Sequence, residues 1–261
     1  MNSKSPFIHE TAYVDENVSL SSNCIVEANA RILGDVKLSK NVWIGFNSII
    51  YGPVEIGNET YIGPNCIVGF PQKTELNEVI KQKSFEQKIF HGNKTVIGNE
   101  CILRSNCTIY SGVEIGNRVK LGHNVLIREN VAIDDDSLIG TNVVIDGNCR
   151  IGRKVSIQTG AYVCAYSTIE DFVFIGPNCV LLNDKYSMQK KTKLIGPLVK
   201  KGASLGGNST IMAGVVIGEG AIVGSEAMVT KNVEAKSIYV GIPAKKAKIV
   251  PKKWHSLLEN E

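Results

Sequence analysis

An isoleucine, leucine or valine recurs at every sixth residue along most of this chain. The first run occupies 8, 14, 20, 26, 32, 38, 44, 50, 56, 62 and 68. A second starts at Ile97 and continues in steps of six to Leu181, and a third runs from Val199 to Val229. A period of six is neither the 3.6 of an amphipathic helix nor plain strand alternation over a long run. It fits a short strand, a turn and another short strand, with every sixth side chain pointing inward. The chain is therefore expected to wind into an all-β solenoid of parallel coils.

The positions between the aliphatics support this. A small or β-branched residue lies four after each aliphatic, as in Val18, Cys24, Ala30, Val125, Ser137 and Ala221. Gly often follows the aliphatic directly (Gly45, Gly122, Gly206), and Asn lies three after it (Asn23, Asn124, Asn208). Both residue types tolerate left-handed backbone at least cost, so both are expected to serve the turns. The aromatics Tyr13, Trp43, Tyr61, Tyr162 and Phe174 fall five after an aliphatic, on the outer surface. If three six-residue sides close a coil and coils stack at ~4.8 Å, the prism is ~50 Å long. The spacing leaves the handedness of the coil open.

Six of the seven cysteines (24, 66, 101, 107, 149 and 179) occupy the small inward position, and Cys164 stands one after Val163. They read as small buried hydrophobes rather than nucleophiles, and no CxxC or other metal-ligand spacing joins them. Composition is that of an ordinary globular protein, 43% hydrophobic and 21% charged. A net charge of +4 is too mild to argue for nucleic acid. No apolar run approaches the ~20 residues a membrane span needs, and "MNSKSPFIHE" lacks a signal peptide's apolar run. The expectation is a cytoplasmic protein with reduced thiols, bound to neither membrane nor nucleic acid.

Two stretches leave the repeat. Residues 69–96 depart and return out of phase, and Leu76, Val79, Ile80, Ile89 and Phe90 suggest an ordered arm. Residues 185–198, "KYSMQKKTKLIGPL", separate aliphatics eighteen residues apart. That is one coil's length, so the stack is expected to continue in phase around a loop. A single domain over 1–250, with these two excursions, would then be followed by a tail at 251–261. Residues 254–261 are expected to form a short helix.

A six-residue repeat with Gly after the aliphatic resembles the hexapeptide-repeat acyltransferases. That resemblance implies a left-handed parallel β-helix and assembly as a homotrimer. Within the family, "VGFPQK" and the later "KLGHNV" look like the acyl-carrier-protein-dependent UDP-N-acetylglucosamine O-acyltransferases of lipid A synthesis. "IEDFVFIGPNCVLLNDKY", "GASLGGNSTI" and "YVGIPAKKAK" look like acetyl-CoA-dependent N-acetyltransferases of nucleotide-linked amino sugars. "GHNVLIRENVAI" and "VSIQTG" are similar to the members acting on dTDP- or UDP-linked aminodeoxy sugars. The lipid A enzymes carry a helical domain after the β-helix, whereas only residues 251–261 follow Val250 here. The resemblance therefore points first to the N-acetyltransferases of polysaccharide biosynthesis. Those enzymes often have an Asn where this chain reads Gln158-Thr159-Gly160, so that Asn has no counterpart here.

His123 is the residue the repeat leaves unexplained. Gly122 and Asn124 are turn residues of the pattern, but His123 lies two after the aliphatic, where a side chain points out from a corner. One reading is a plain exposed turn histidine; by resemblance it is the general base. Neutral imidazole, with an ordinary pKa of ~6.5, can take the proton an attacking amine loses, a contribution typically worth ~10²–10⁴-fold. Glu129 and Asp146 are candidates to orient that ring or to hold the sugar amine, and Asn183 and Asp184 to contact the acceptor. Solvated turns are the alternative for all four.

For acetyl-CoA, Gly206 and Gly207 would let the pantetheine arm approach the backbone, while Lys200, Lys201, Lys245 and Lys246 would meet phosphates. A backbone N–H in a glycine-containing turn would meet the oxyanion. No metal is expected, since zinc wants about three converging ligands and only His123 among the histidines lies in the regular coils. An acyl-carrier-protein-dependent O-acyltransferase and a non-catalytic scaffold are the competing readings.

Overall fold

The computed structural model describes residues 4–82 and 92–259. Two compact units divide the chain, Met1–Asn130 and Val131–Glu261. In each, strands mostly two or three residues long stack in parallel into three sheets, one per side of the coil. The result is an all-β parallel solenoid, consistent with the left-handed β-helix expected.

In the first unit, one sheet stacks Phe7–Ile8, Ile25–Val26, Trp43–Ile44, Tyr61–Ile62, Ile102–Leu103 and Lys120–Leu121. Pairing there is in register, with successive aliphatics of the repeat directly above one another, as in Ile44 on Ile62. From Val26 upward those aliphatics are buried. The second unit repeats the arrangement, as in Ile175 on Leu205 and Leu205 on Val223. All seven cysteines are buried and free. Cys24, Cys101, Cys107 and Cys149 donate Sγ–H to the carbonyl fifteen residues on, at 3.0–3.2 Å. Ser48 and Ser137 donate Oγ–H in the same way, at 2.8 and 2.9 Å. The inward position thus takes a small side chain that can also satisfy the next coil's backbone.

Asn and Gly divide the turn work that the sequence assigned to both. Three residues after the aliphatic the backbone is left-handed, for example at Asn23 (φ 61), Asn124 (φ 55) and Asn178 (φ 54). Asn17 and Asn232, in equivalent sequence positions, are not. Glycines directly after the aliphatic, such as Gly45 and Gly206, do not use positive φ either. Their role is close approach: a Cβ at Gly45 would sit 2.8 Å from the Gly63 carbonyl carbon, and one at Gly206 would sit 2.3 Å from the Ser225 nitrogen. The asparagines gain a second role, since Asn23 donates to Asn41 at 2.9 Å and Asn47 to Asn65 at 3.2 Å, one coil on.

The two excursions are insertions at a turn. Strand Thr95–Ile97 pairs in register with Val54–Ile56, as the side after Ile67–Phe70 should. Between them lies the helix Lys73–Gln82, whose start is closed by a Glu75 carboxylate accepting the Gln72 N–H at 2.7 Å. Leu76 is half-buried and Ile80 is exposed. Ile89 and Phe90 lie outside the described residues. The second excursion differs from the sequence expectation. Leu198–Val199 pairs with Thr168–Ile169, so it is the next side after Val180–Leu181 and not the same side one coil later. A single six-residue turn has gained twelve residues, and their number imitates the repeat. Both ends of that loop are pinned, by Ile195 N–H to Asn183 O at 3.0 Å and Gly214 N–H to Ile195 O at 2.9 Å.

The C-terminal residues are mostly not helical. Lys245–Ile249 forms an antiparallel strand against Ser237–Val240, and helix is confined to one 3-10 turn at Leu257–Glu259. Residues 260 and 261 of the expected helix lie outside the described residues.

Candidate active site

His123 is held by the turn and not by packing. Strand Lys120–Leu121 ends at Gly122, Asn124 takes the left-handed conformation, and strand Leu126–Ile127 begins the next side. This leaves the His123 side chain exposed. One coil below, eighteen residues earlier, Ser105 occupies the same turn position, and its Oγ lies 2.7 Å from His123 Nδ1. The Asn124 N–H donates to the Ser105 carbonyl at 3.0 Å, locking the two turns together. In the tautomer whose Nδ1–H donates to Oγ, Nε2 is the deprotonated nitrogen, as a general base requires. Ser105 was not singled out in the sequence, though its eighteen-residue offset from His123 was a signal for it.

Glu129 sits on the next turn of the same coil, half-buried. Arg128 grips its carboxylate with Nε at 3.1 Å from Oε2 and Nη2 at 2.8 Å from Oε1. The Arg128 guanidinium also lies 5.9 Å from the Tyr110 ring centre, and Tyr110 is 5.0 Å from Phe70. Phe70 ends the strand from which the first excursion leaves, so this aromatic and cationic column connects the loop's start to Glu129.

In the second unit the three acceptor candidates share one edge. Asp146 accepts from Tyr162 Oη at 3.0 Å, and Asn183 donates Nδ2–H to the Ala165 carbonyl at 3.2 Å. Asp184 accepts the Tyr186 and Met188 N–H groups at 2.9 and 2.7 Å, which hold its carboxyl below the usual range and fix the start of the loop. Beyond it, Lys185 and Lys190 flank the Tyr186 ring at 5.7 and 5.4 Å.

The cofactor candidates are separated. Gly206 and Gly207 turn the chain from Ser204–Leu205 into Thr210–Ile211, whereas Lys200 and Lys201 turn it from Leu198–Val199 into Ser204–Leu205. These are two different edges. Gly206 commits its N–H to Val223 O at 2.8 Å. The Gly207 N–H has no acceptor among the described residues, so of the two only Gly207 can donate to a ligand. Lys201 lies 5.3 Å from the Phe172 ring and 4.0 Å from Glu259. Lys245 and Lys246 lie on the antiparallel strand, where Lys246 is paired with Glu234, which raises its ammonium pKa.

Burial raises the Cys149 thiol to about 12 and the Cys164 and Cys179 thiols to about 11, so none of these three supplies a thiolate near neutrality. Among the described residues no group of three or more His, Cys, Asp or Glu is gathered to hold a metal. No described helix is long and apolar enough to cross a membrane.

Comparison with known proteins identifies the repeat. The model for the bacterial transferase hexapeptide repeat matches residues 35–69 and 94–129, and that for the hexapeptide repeat of succinyl-transferase matches 201–231. Those stretches of this chain carry hexapeptide repeats of the kind found in bacterial transferases. Its second excursion and its C-terminal tail lie outside the stretches those models match. The hexapeptide-repeat chain is 48% identical over 48 residues to the dTDP-3-amino-3,6-dideoxy-alpha-D-galactopyranose 3-N-acetyltransferase of Aneurinibacillus thermoaerophilus. That match covers 18% of this chain and 25% of the relative. A second relative, from Schizosaccharomyces pombe, is 32% identical over 109 residues, 38% of this chain and 51% of its own. The chain thus spans a quarter to a half of the curated relatives it matches. The UDP-N-acetylglucosamine acyltransferase of Campylobacter jejuni shares the fold with a TM-score of 0.50 at 19% identity, over 93% of this chain and 74% of that one.

Proposed function

We propose that this protein is an acyl-CoA-dependent N-acyltransferase, transferring acetyl to the amino group of a dTDP- or UDP-linked aminodeoxy sugar. The observation that carries this reading is the 2.7 Å contact that presents His123 from an exposed turn with Ser105 at Nδ1. The relative named as a dTDP-amino-sugar 3-N-acetyltransferase supports the substrate class.

In this reading the amine nitrogen attacks the thioester carbonyl carbon as His123 Nε2 takes an N–H proton. The N–C bond forms and the carbonyl oxygen gains the charge, which a backbone N–H in a glycine-containing turn would meet. The C–S bond then breaks, and the imidazolium returns its proton to the departing thiolate. Glu129, Asp146, Asn183 and Asp184 are assigned to the acceptor. Gly207 and the lysines at 200, 201, 245 and 246 are assigned to the donor, and Gly206 keeps the backbone close to the next coil. Active sites complete themselves between the subunits of a homotrimer.

Mass spectrometry of products tests this. The purified protein is incubated with acetyl-CoA and a panel of dTDP- and UDP-linked 3-amino and 4-amino deoxysugars. One sugar gaining a single acetyl group is the expected result. If none does, and acyl transfer appears only from an acyl carrier protein to UDP-N-acetylglucosamine, the reading gives way to an O-acyltransferase.

A further inference from the structure

One groove in the second unit is not one the repeat predicts. After the antiparallel strand Lys245–Ile249, the tail folds back over the turns that hold Gly202, Gly220 and Lys236. Two bonds fix it there, Val250 N–H to Lys236 O at 2.9 Å and Ser256 Oγ–H to Phe172 O at 2.8 Å. The space enclosed is about 960 Å³, at the upper end for a small-molecule site.

The floor of that space is bare. Gly202 and Gly220 occupy the left-handed turn position, with φ of 65° and 59°. Elsewhere in the unit the same conformation is carried by Asn178, Lys154 and Phe172, so backbone geometry alone does not demand glycine here. A Cβ at either position would meet nothing closer than 3.7 Å, so packing does not demand it either. The walls are basic and apolar: Lys236, Lys252 and Lys253 line the groove beside Ile249, Leu257 and the indole of Trp254, which is 57% exposed. Of the two lining glutamates, Glu259 faces Lys201, leaving Glu219 against three lysines.

An aromatic plate, several ammonium groups and an unfilled floor fit a planar heterocycle carrying phosphates. We propose that the tail groove is a binding site for a phosphorylated nucleotide, with its base on Trp254 and its phosphates on Lys236, Lys252 and Lys253. Such chemistry is present in two molecules of the proposed reaction, the 3′,5′-ADP end of the donor and the nucleoside diphosphate of the acceptor. None of His123, Glu129, Asp146, Asn183 and Asp184 lines the groove, and the test below reads nucleotide binding alone, so failure of the proposed acyl transfer would leave it untouched.

Calorimetric titration of the full-length protein with 3′,5′-ADP, dTDP and UDP, each alone, tests the proposal. Saturable binding of one is expected, with affinity lowered at least tenfold in Lys252→Ala/Lys253→Ala and lowered again in Trp254→Ala, at unchanged thermal midpoint. Gly220→Asn, which suits the left-handed backbone but fills the floor, should also lower it. Binding of 3′,5′-ADP alone assigns the groove to the donor, and binding of dTDP or UDP alone to the acceptor. If no nucleotide binds, or if binding is indifferent to all three variants, the proposal is overturned.

Discussion

His123 is exposed, and its turn is set by Asn124 and by the bond to Ser105 O, so removing the imidazole takes nothing from the core. His123→Ala should leave the thermal midpoint nearly unchanged and cut turnover at least tenfold, measured on the sugar that mass spectrometry identifies. Ser105 acts through His123. Ser105→Ala should lower kcat with little change in KM, and Ser105→Thr, which keeps the hydroxyl, should recover most of the loss. The thiols set an alkaline limit. Cys149 at about 12 and Cys164 and Cys179 at about 11 stay neutral in the fold well above the ordinary thiol value of 9.0. The unfolded state ionises first as pH rises, so the stability these thiols contribute is complete below about 9 and lost as pH climbs toward 11–12. Denaturant melts between pH 8 and 11 should show the decline, and Cys149→Ala should flatten it.

At the scale of one coil, adjacent glycines separate structure from function. Gly206→Ala drives a Cβ to 2.3 Å from the Ser225 nitrogen and should lower stability by about 1–3 kcal/mol in chemical denaturation. Gly207→Ala meets only the Pro177 oxygen at 3.3 Å, so its effect should fall on the KM for acetyl-CoA, with little change in the melt. The coil itself was legible in the sequence because every Ile, Leu or Val of the repeat reports the same fact about its side of the prism. The second excursion was not. Its twelve extra residues are a multiple of six, so counting from Leu181 to Val199 returns a full coil where the chain makes one side. The candidate site was legible in part: His123 stood out because the repeat accounted for Gly122 and Asn124. The tail groove gave no periodic signal, since it arises where an antiparallel strand ends the repeat.

Across the molecule, the faces of the first unit differ in character. One presents Phe7, Ile25, Trp43, Tyr61 and Ile102 in a column, with Phe7, Trp43 and Ile102 exposed. Another presents Ser19, Lys37, Glu55, Val96 and Glu114, with Lys37 and Lys94 both paired to Glu55. In the proposed homotrimer, this apolar column is the surface that would meet another subunit. Light scattering should give three times the 28.3 kDa chain mass. Trp43→Glu should shift that mass toward the monomer without unfolding the coils, because the indole lies outside the core.

Each excursion leaves at a turn and rejoins at a strand whose register is undisturbed: Thr95 still meets Val54, and Leu198 still meets Thr168. The coil above carries no record of how long the detour was. A lineage built this way can revise what it recognises by lengthening one turn at a time, while the stack beneath is inherited unaltered.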